Sequence, residues 1–398
     1  MRNRSVLLSA ALAVSLFGCN NALKTPDQKA EANKHWNAAR ASVLASLANE
    51  QFRSGNFEKC RRTIDDALKL VPESEPLHVL AAKLDIENGQ LELAEQELKL
   101  ARHYSPNDPE PYYLSGVVYQ RWQKPDVAYD FYHQASTKAP AELAYLLAQG
   151  EMLVTMDRSP EALQLLAAKV TYFEHSGAIR DAVGQLLAQG GRYHEAAAMF
   201  REASILSEDD AGIRERLALA QYHDKNYREA SEILVRLLQT DAFLKRTDLF
   251  VVLGECQLNL GKSREARYSF ETASQLDQYD PHIWVCLGRA SLEVADYHRA
   301  ELSLKRALKL DAAASETHLL LGYTYLHQNN ASEALNEFQK ASSLDSRDTV
   351  SLCMIGYALQ KLGQNEQASQ YYARALHLKP GDEMARTLMA DIDLSSSR

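Results

Sequence analysis

One pattern recurs every 34 residues through most of this chain, and few features restrict a fold more. Ala368, Tyr372 and Ala375 repeat as Ala334, Phe338 and Ala341, as Ala300, Leu304 and Ala307, and as Ala266, Phe270 and Ala273. Twelve residues before the first alanine of each set stands a glycine, in Ile355-Gly356, Leu321-Gly322, Leu287-Gly288 and Leu253-Gly254. A unit of this length is one supersecondary element, too small to bury its own apolar face, so neighbours must stack to make a continuous core.

Ten units follow from the pattern: 41–74, 75–108, 109–142, 143–176, 177–210, 211–244, 247–280, 281–314, 315–348 and 349–382, contiguous except for Lys245-Arg246. Their eighth residue is always Ala or Gly, and their twentieth is Cys60 and then nine alanines. The twenty-fourth is bulky: Ile64, Leu98, Tyr132, Leu166, Phe200, Leu234, Phe270, Leu304, Phe338 and Tyr372. Small residues let two helix backbones approach, and the bulky one fills the remaining gap. Pro72, Pro106, Pro140 and Pro380 fall where a second helix must stop, since proline offers no N–H to continue it. Ala, Leu, Glu, Gln and Lys, the strongest helix formers, abound, which makes the class all-α.

The pattern resembles the tetratricopeptide repeat, W-x2-L-G-x2-Y, then A-x3-F, then P in 34 residues, over almost the whole chain after its first segment. The resemblance implies a right-handed superhelical solenoid of about ten helix-turn-helix units. Residues 27–244 would hold repeats one to six, 245–382 repeats seven to ten, and 383–398 a polar-faced capping helix and tail. Lys169 and Leu237 stand where alanine is expected, in repeats without the terminal proline, and Lys245-Arg246 breaks the phase nearby. Looser or shifted packing and an irregular junction are expected there.

The first residues read as an address. Arg2 and Arg4 precede an uncharged run from Val6 to Phe17, too short to span a bilayer, which makes 1–18 a signal peptide. Leu16-Phe17-Gly18-Cys19 resembles the bacterial lipobox, which implies lipidation of Cys19, with 19–26 as lipidated terminus and tether. Loss of Arg2 and Arg4 takes the formal charge from −9 to −11, so the lipid and not the acidic body would hold the protein to its membrane. Asn20 after the cysteine favours, by resemblance to Gram-negative sorting, the outer membrane, facing the periplasm.

Sites of chemistry are not expected. No HExxH, CxxC, G-x-S-x-G or phosphate loop occurs, no cofactor or metal site is expected, and the histidines show no ligand spacing on any one helix. His78 and His318 occupy a position where the family packs a ring, and His223-Asp224 falls at a turn. Cys256 and Cys286 lie on adjacent first helices, and the sequence leaves their pairing open. The acidic balance lacks a basic stripe for phosphates, which excludes nucleic acid. An enzyme and a small-molecule substrate are both disfavoured.

The resemblance assigns binding to the concave face, lined by positions 2, 5, 6, 9, 12 and 13 of each first helix. Tyr113, Tyr222, Val251, Leu258, Val285, Arg289, Leu319, Tyr323, Met354 and Tyr357 occupy such positions, and repeats seven to ten, which keep the pattern best, are expected to form the main site. The scattered charges Lys83, Arg121, Arg216 and Arg289 do not make the lysine–asparagine clamp that grips a terminal carboxylate. The expected ligand is a protein segment, extended or an amphipathic helix. The expected role is a membrane-anchored adaptor in assembling an envelope complex, similar in type to type IV pilus pilotins, with polysaccharide synthesis or export as the alternative.

Overall fold

The structure, a computed structural model, describes residues 26–396, and every regular element among them is a helix. The signal segment, Cys19, most of the tether, and the last two residues lie outside the described residues. The chain forms two compact units, residues 1–159 and 160–398. The first holds α1 (Pro26–Arg53), α2 (Phe57–Leu70), α3 (Glu75–Glu87), α4 (Leu91–Tyr104), α5 (Glu110–Arg121), α6 (Pro125–Lys138) and α7 (Leu143–Thr155). The second begins within α8 (Ser159–Ala167) and continues with α9 (Gly177–Gln189), α10 (Tyr193–Leu206), α11 (Ala211–His223), α12 (Tyr227–Leu237), α13 (Thr247–Asn259) and α14 (Ser263–Leu276). It ends with α15 (Pro281–Glu293), α16 (Tyr297–Leu310), α17 (Ser315–His327), α18 (Ala331–Leu344), α19 (Thr349–Lys361), α20 (Asn365–Leu378) and α21 (Glu383–Ser396). From α1 to α7 and from α9 to α21 successive helices pack pairwise in chain order, as a 34-residue helix-turn-helix period requires.

The pairing depends on glycine meeting a ring. Wherever the twenty-fourth residue is aromatic, the eighth is glycine, and a Cβ added to that glycine would collide with the ring. It would lie 2.4 Å from Tyr132 at Gly116, 2.7 Å from Phe200 at Gly184 and from Phe270 at Gly254, and 2.4 Å from Phe338 at Gly322 and from Tyr372 at Gly356. The rings are at most 2% exposed, so each fills the space that its glycine leaves. Where the bulky residue is Ile64, Leu98 or Leu234, alanine is accommodated at Ala48, Ala82 and Ala218.

A second regularity lies at the fifteenth position, the turn between the helices of a pair. All ten of these residues have positive φ: Gly55, Gly89, Gly191, Gly261 and Gly363 at 71–77°, and Gln123, Asp157, Lys225, Ala295 and Asn329 at 57–62°. A β-carbon crowds the following carbonyl in this conformation and glycine has none. Ala295→Gly is therefore expected to stabilise repeat eight by about 1 kcal/mol, read as a higher urea midpoint, whereas an unchanged or lower midpoint would show the turn to be unstrained.

The expected irregularities sit in short second helices. α8 has 9 residues and α12 has 11, against 14 in α10, α14, α16, α18 and α20. Lys169 falls beyond the end of α8 and is exposed. Loose packing around Leu237 is not what the structure shows: the residue is 3% exposed and clusters with Leu238, Phe243, Leu249 and Leu253. The extra pair is tied down as well, because Arg246 contacts Glu215 at 2.6 Å and Asp248 at 2.7 Å. Residue 245 lies inside the second unit, where α12 and α13 stay packed around Phe243.

The last helix covers the final repeat as the sequence suggests, with Glu383, Arg386, Thr387 and Asp391 exposed. α21 packs on α19 and α20, buries Ala385 and Ile392 in the core of the last repeats, and brings Met384 and Leu388 to the edge of a pocket.

Candidate partner-binding pocket

A pocket of about 570 Å³ opens where α17, α19 and α21 meet. On α17 it is lined by Tyr323, Leu326 and His327, which lie three and four residues apart and so share a face. Met354, Tyr357 and Lys361 on α19, at i, i+3 and i+7, also share one face, and Met384 and Leu388 on α21 close the far wall. The floor is apolar and the rim polar: Lys361 holds its ammonium 5.2 Å from the Tyr357 ring, and His327 stacks on Tyr297 at 4.9 Å. Burial raises the Tyr323 phenol above its ordinary range, with the charges of Asp348 and Cys353 adding to it, so this ring is a neutral wall at physiological pH.

The predicted residues fall in several places. Tyr323, Met354 and Tyr357 come together in this pocket, although Met354 is 4% exposed and forms its floor. Tyr222, Leu258 and Arg289 line a separate, more polar cavity of about 320 Å³ with Glu255, Asn259 and Glu293. Val251 and Leu258 pack on the core around Phe270 and Leu287, and Leu319 on the core of the last repeats. Val285 is half-buried on α15. Tyr113, in the first unit, packs its ring 5.5 Å from Tyr132 and 4.8 Å from Tyr145. None of the ten is exposed: nine are half-buried and Met354 is buried.

The histidines named from sequence are structural. His78 is 2.6 Å from Glu97 and 2.8 Å from the Pro72 carbonyl, and His318 is 2.6 Å from Glu337, the corresponding residue two hundred and forty positions on. Burial pulls the His78 imidazole down, but the Glu97 hydrogen bond, the Pro72 carbonyl and nearby carboxylates raise it overall. His223 stacks on Tyr193, and Asp224 takes His194 at 3.0 Å.

One cluster was missed. Glu255, His282 and Cys286 converge beside the Tyr222 cavity, where the Tyr222 hydroxyl donates to Glu255. His282 is pushed up to about 10, first by its contact with Cys286 and then by the Glu255 carboxylate. Glu255 is held below its ordinary range, chiefly by His282, against the opposing effect of burial. The signal in sequence was His282-x3-Cys286, one helical turn apart on α15, contrary to the expectation that no histidine had ligand spacing. Glu255 comes from the preceding repeat, so no single-helix motif contains all three. Cys256 and Cys286 are both buried free thiols, and burial raises Cys256 to about 12.

Family models described as tetratricopeptide repeat match residues 183–243 and 286–347, and a second such model matches 350–382. The C-terminal part of a tetratricopeptide repeat-containing protein from Cytophaga hutchinsonii is similar, with a TM-score of 0.50 and 15% identity over 60% of this chain and 98% of that one. YrrB, a tetratricopeptide protein with an unusual peptide-binding site, aligns with a TM-score of 0.42 and 18% identity over 48% of this chain and 97% of its own. A curated relative, BBSome complex member BBS4 from Bos taurus, is 23% identical over 225 residues, 56% of this chain. The match spans 43% of that relative's length. The fold is an all-α tetratricopeptide solenoid, an architecture whose extended concave surfaces serve protein–protein interaction.

Proposed function

We propose that this chain is a lipid-anchored scaffold of the bacterial envelope, attached through Cys19 to the outer membrane and facing the periplasm, which holds protein segments in its concave groove while an envelope complex such as a pilus or secretion system is assembled. The observation that carries the binding half is the pocket between α17, α19 and α21, where two tyrosines, a methionine floor and a charged rim offer an apolar anchor site with a polar edge. Interface anchors are typically of this composition, aromatic and flexible apolar side chains surrounded by polar groups. The ligand that suits it is an amphipathic helix or extended segment whose apolar face enters the pocket. The anchoring half is supported by Leu16-Phe17-Gly18-Cys19 after an uncharged run.

Fractionation tests the proposal. The wild-type chain is expected in the membrane fraction with a mature terminus at acylated Cys19, and its partner should co-purify with it. Cys19→Ser should move nearly all of the protein out of that fraction without altering helical content. An unmodified terminus by mass spectrometry, or membrane association that survives the substitution, would overturn the anchoring.

A further inference from the structure

We propose that Glu255, His282 and Cys286 form a binding site for a borderline divalent metal ion, zinc in the first instance. His282 Nε2 lies 3.5 Å from Cys286 Sγ and 3.6 Å from Glu255 Oε1, and all three donor atoms fall within 4.8 Å of one another. A tetrahedral zinc ion with bonds of about 2.0–2.1 Å to imidazole, 2.3 Å to thiolate and 2.0–2.2 Å to carboxylate holds its ligand atoms roughly 3.4–3.6 Å apart. Two edges of that tetrahedron are therefore already in place, and the third needs at most a movement of the imidazole or carboxylate by about an ångström.

The supports suit such a site. His282 and Cys286 are one turn apart on α15, so both side chains leave the same face, and Glu255 reaches them from α13. The thiol is fixed, because Cys286 is 1% exposed, whereas the His282 side chain is 60% exposed and free to rotate onto an incoming ion. The Tyr222 hydroxyl donates to Glu255 Oε2, the oxygen that does not face His282, and so orients the carboxylate as an outer-shell partner does in metal sites. Thiolate, imidazole and carboxylate together suit zinc and cobalt and disfavour calcium and magnesium, which take oxygen donors.

The fourth coordination position would open to the cavity lined by Tyr222, Asn259 and Arg289. Arg289 Nε is buried there without a hydrogen-bond partner, and its guanidinium lies 3.9 Å from Cys286 Sγ. Zinc, thiolate and carboxylate sum to zero charge, and the cavity adds one positive group, Arg289, and one negative, Glu293. The open position accordingly suits a neutral donor such as water.

Cobalt titration of the full-length chain under reducing conditions tests this. One equivalent of Co2+ is expected to give a thiolate-to-cobalt charge-transfer band with intense tetrahedral ligand-field bands, and Zn2+ should abolish both. Cys286→Ser should remove the charge-transfer band, and His282→Gln, at an exposed side chain where folding is not at stake, should weaken binding at least tenfold. Cys353→Ser, at a buried thiol in another repeat, should leave the spectrum unchanged. A spectrum with no charge-transfer band, or one that survives Cys286→Ser, would overturn the site and leave a hydrogen-bonded Cys–His–Glu cluster.

Discussion

Gly322→Ala is expected to destabilise the native chain by about 1–3 kcal/mol and to stabilise a Phe338→Ala variant by about 1 kcal/mol. In the native chain the new methyl would stand 2.4 Å from Cε1 of Phe338, a ring with 0% exposure and no room to retreat. Without the ring the clash disappears, and what remains is the ordinary preference of a helix for alanine over glycine. Phe338→Ala alone should cost about 3–5 kcal/mol through lost burial and the cavity left behind, the largest single effect expected in the molecule. Urea unfolding of the four species gives the cycle. Because repeat arrays can lose cooperativity, hydrogen exchange on α17 and α18 should accompany it. If Gly322→Ala has the same sign in both backgrounds, the glycine is not there to admit the ring.

How much of this was legible follows from where the information lies. The period, the small eighth and twentieth positions and the bulky twenty-fourth are local and repeated, so Gly322 and Phe338 could be paired from sequence. Leu237 and Lys169 stand in repeats whose second helices are short, but the looser packing expected at Leu237 is replaced by burial with Phe243. The positive φ of the fifteenth position was half visible: five glycines announce it, while Gln123, Asp157, Lys225, Ala295 and Asn329 adopt it despite carrying a β-carbon. The proposed binding face could be read as a set of positions and not as a pocket. Which of those side chains meet a cavity depends on the crossing of neighbouring helices, and Met384 and Leu388 enter the pocket from a helix outside the repeat pattern. Of Glu255, His282 and Cys286 only the His282-x3-Cys286 pair was legible, because Glu255 belongs to the preceding repeat.

Tyr323→Ala with Tyr357→Ala is expected to weaken partner capture at least 30-fold, since loss of a central aromatic anchor typically costs about 2 kcal/mol or more. Stability should fall far less than for Phe338→Ala. Tyr323 meets Phe338 edge-on at 5.6 Å, a contact of about 0.5–1.5 kcal/mol, and both tyrosines are only half-buried. The double Tyr→Phe variant keeps the apolar faces and should retain most of the capture. Unfolding of the alanine variant at room temperature would instead assign these rings to the core.

The most direct measurement is site-specific photocrosslinking in intact cells. A photoreactive side chain at Leu388, on the pocket wall, should yield discrete protein adducts that vanish in the Tyr323→Ala/Tyr357→Ala background, while the same group at Lys309, exposed on α16, yields none. Adducts at Lys309 without any at Leu388, or Leu388 adducts indifferent to loss of both tyrosines, would contradict the account.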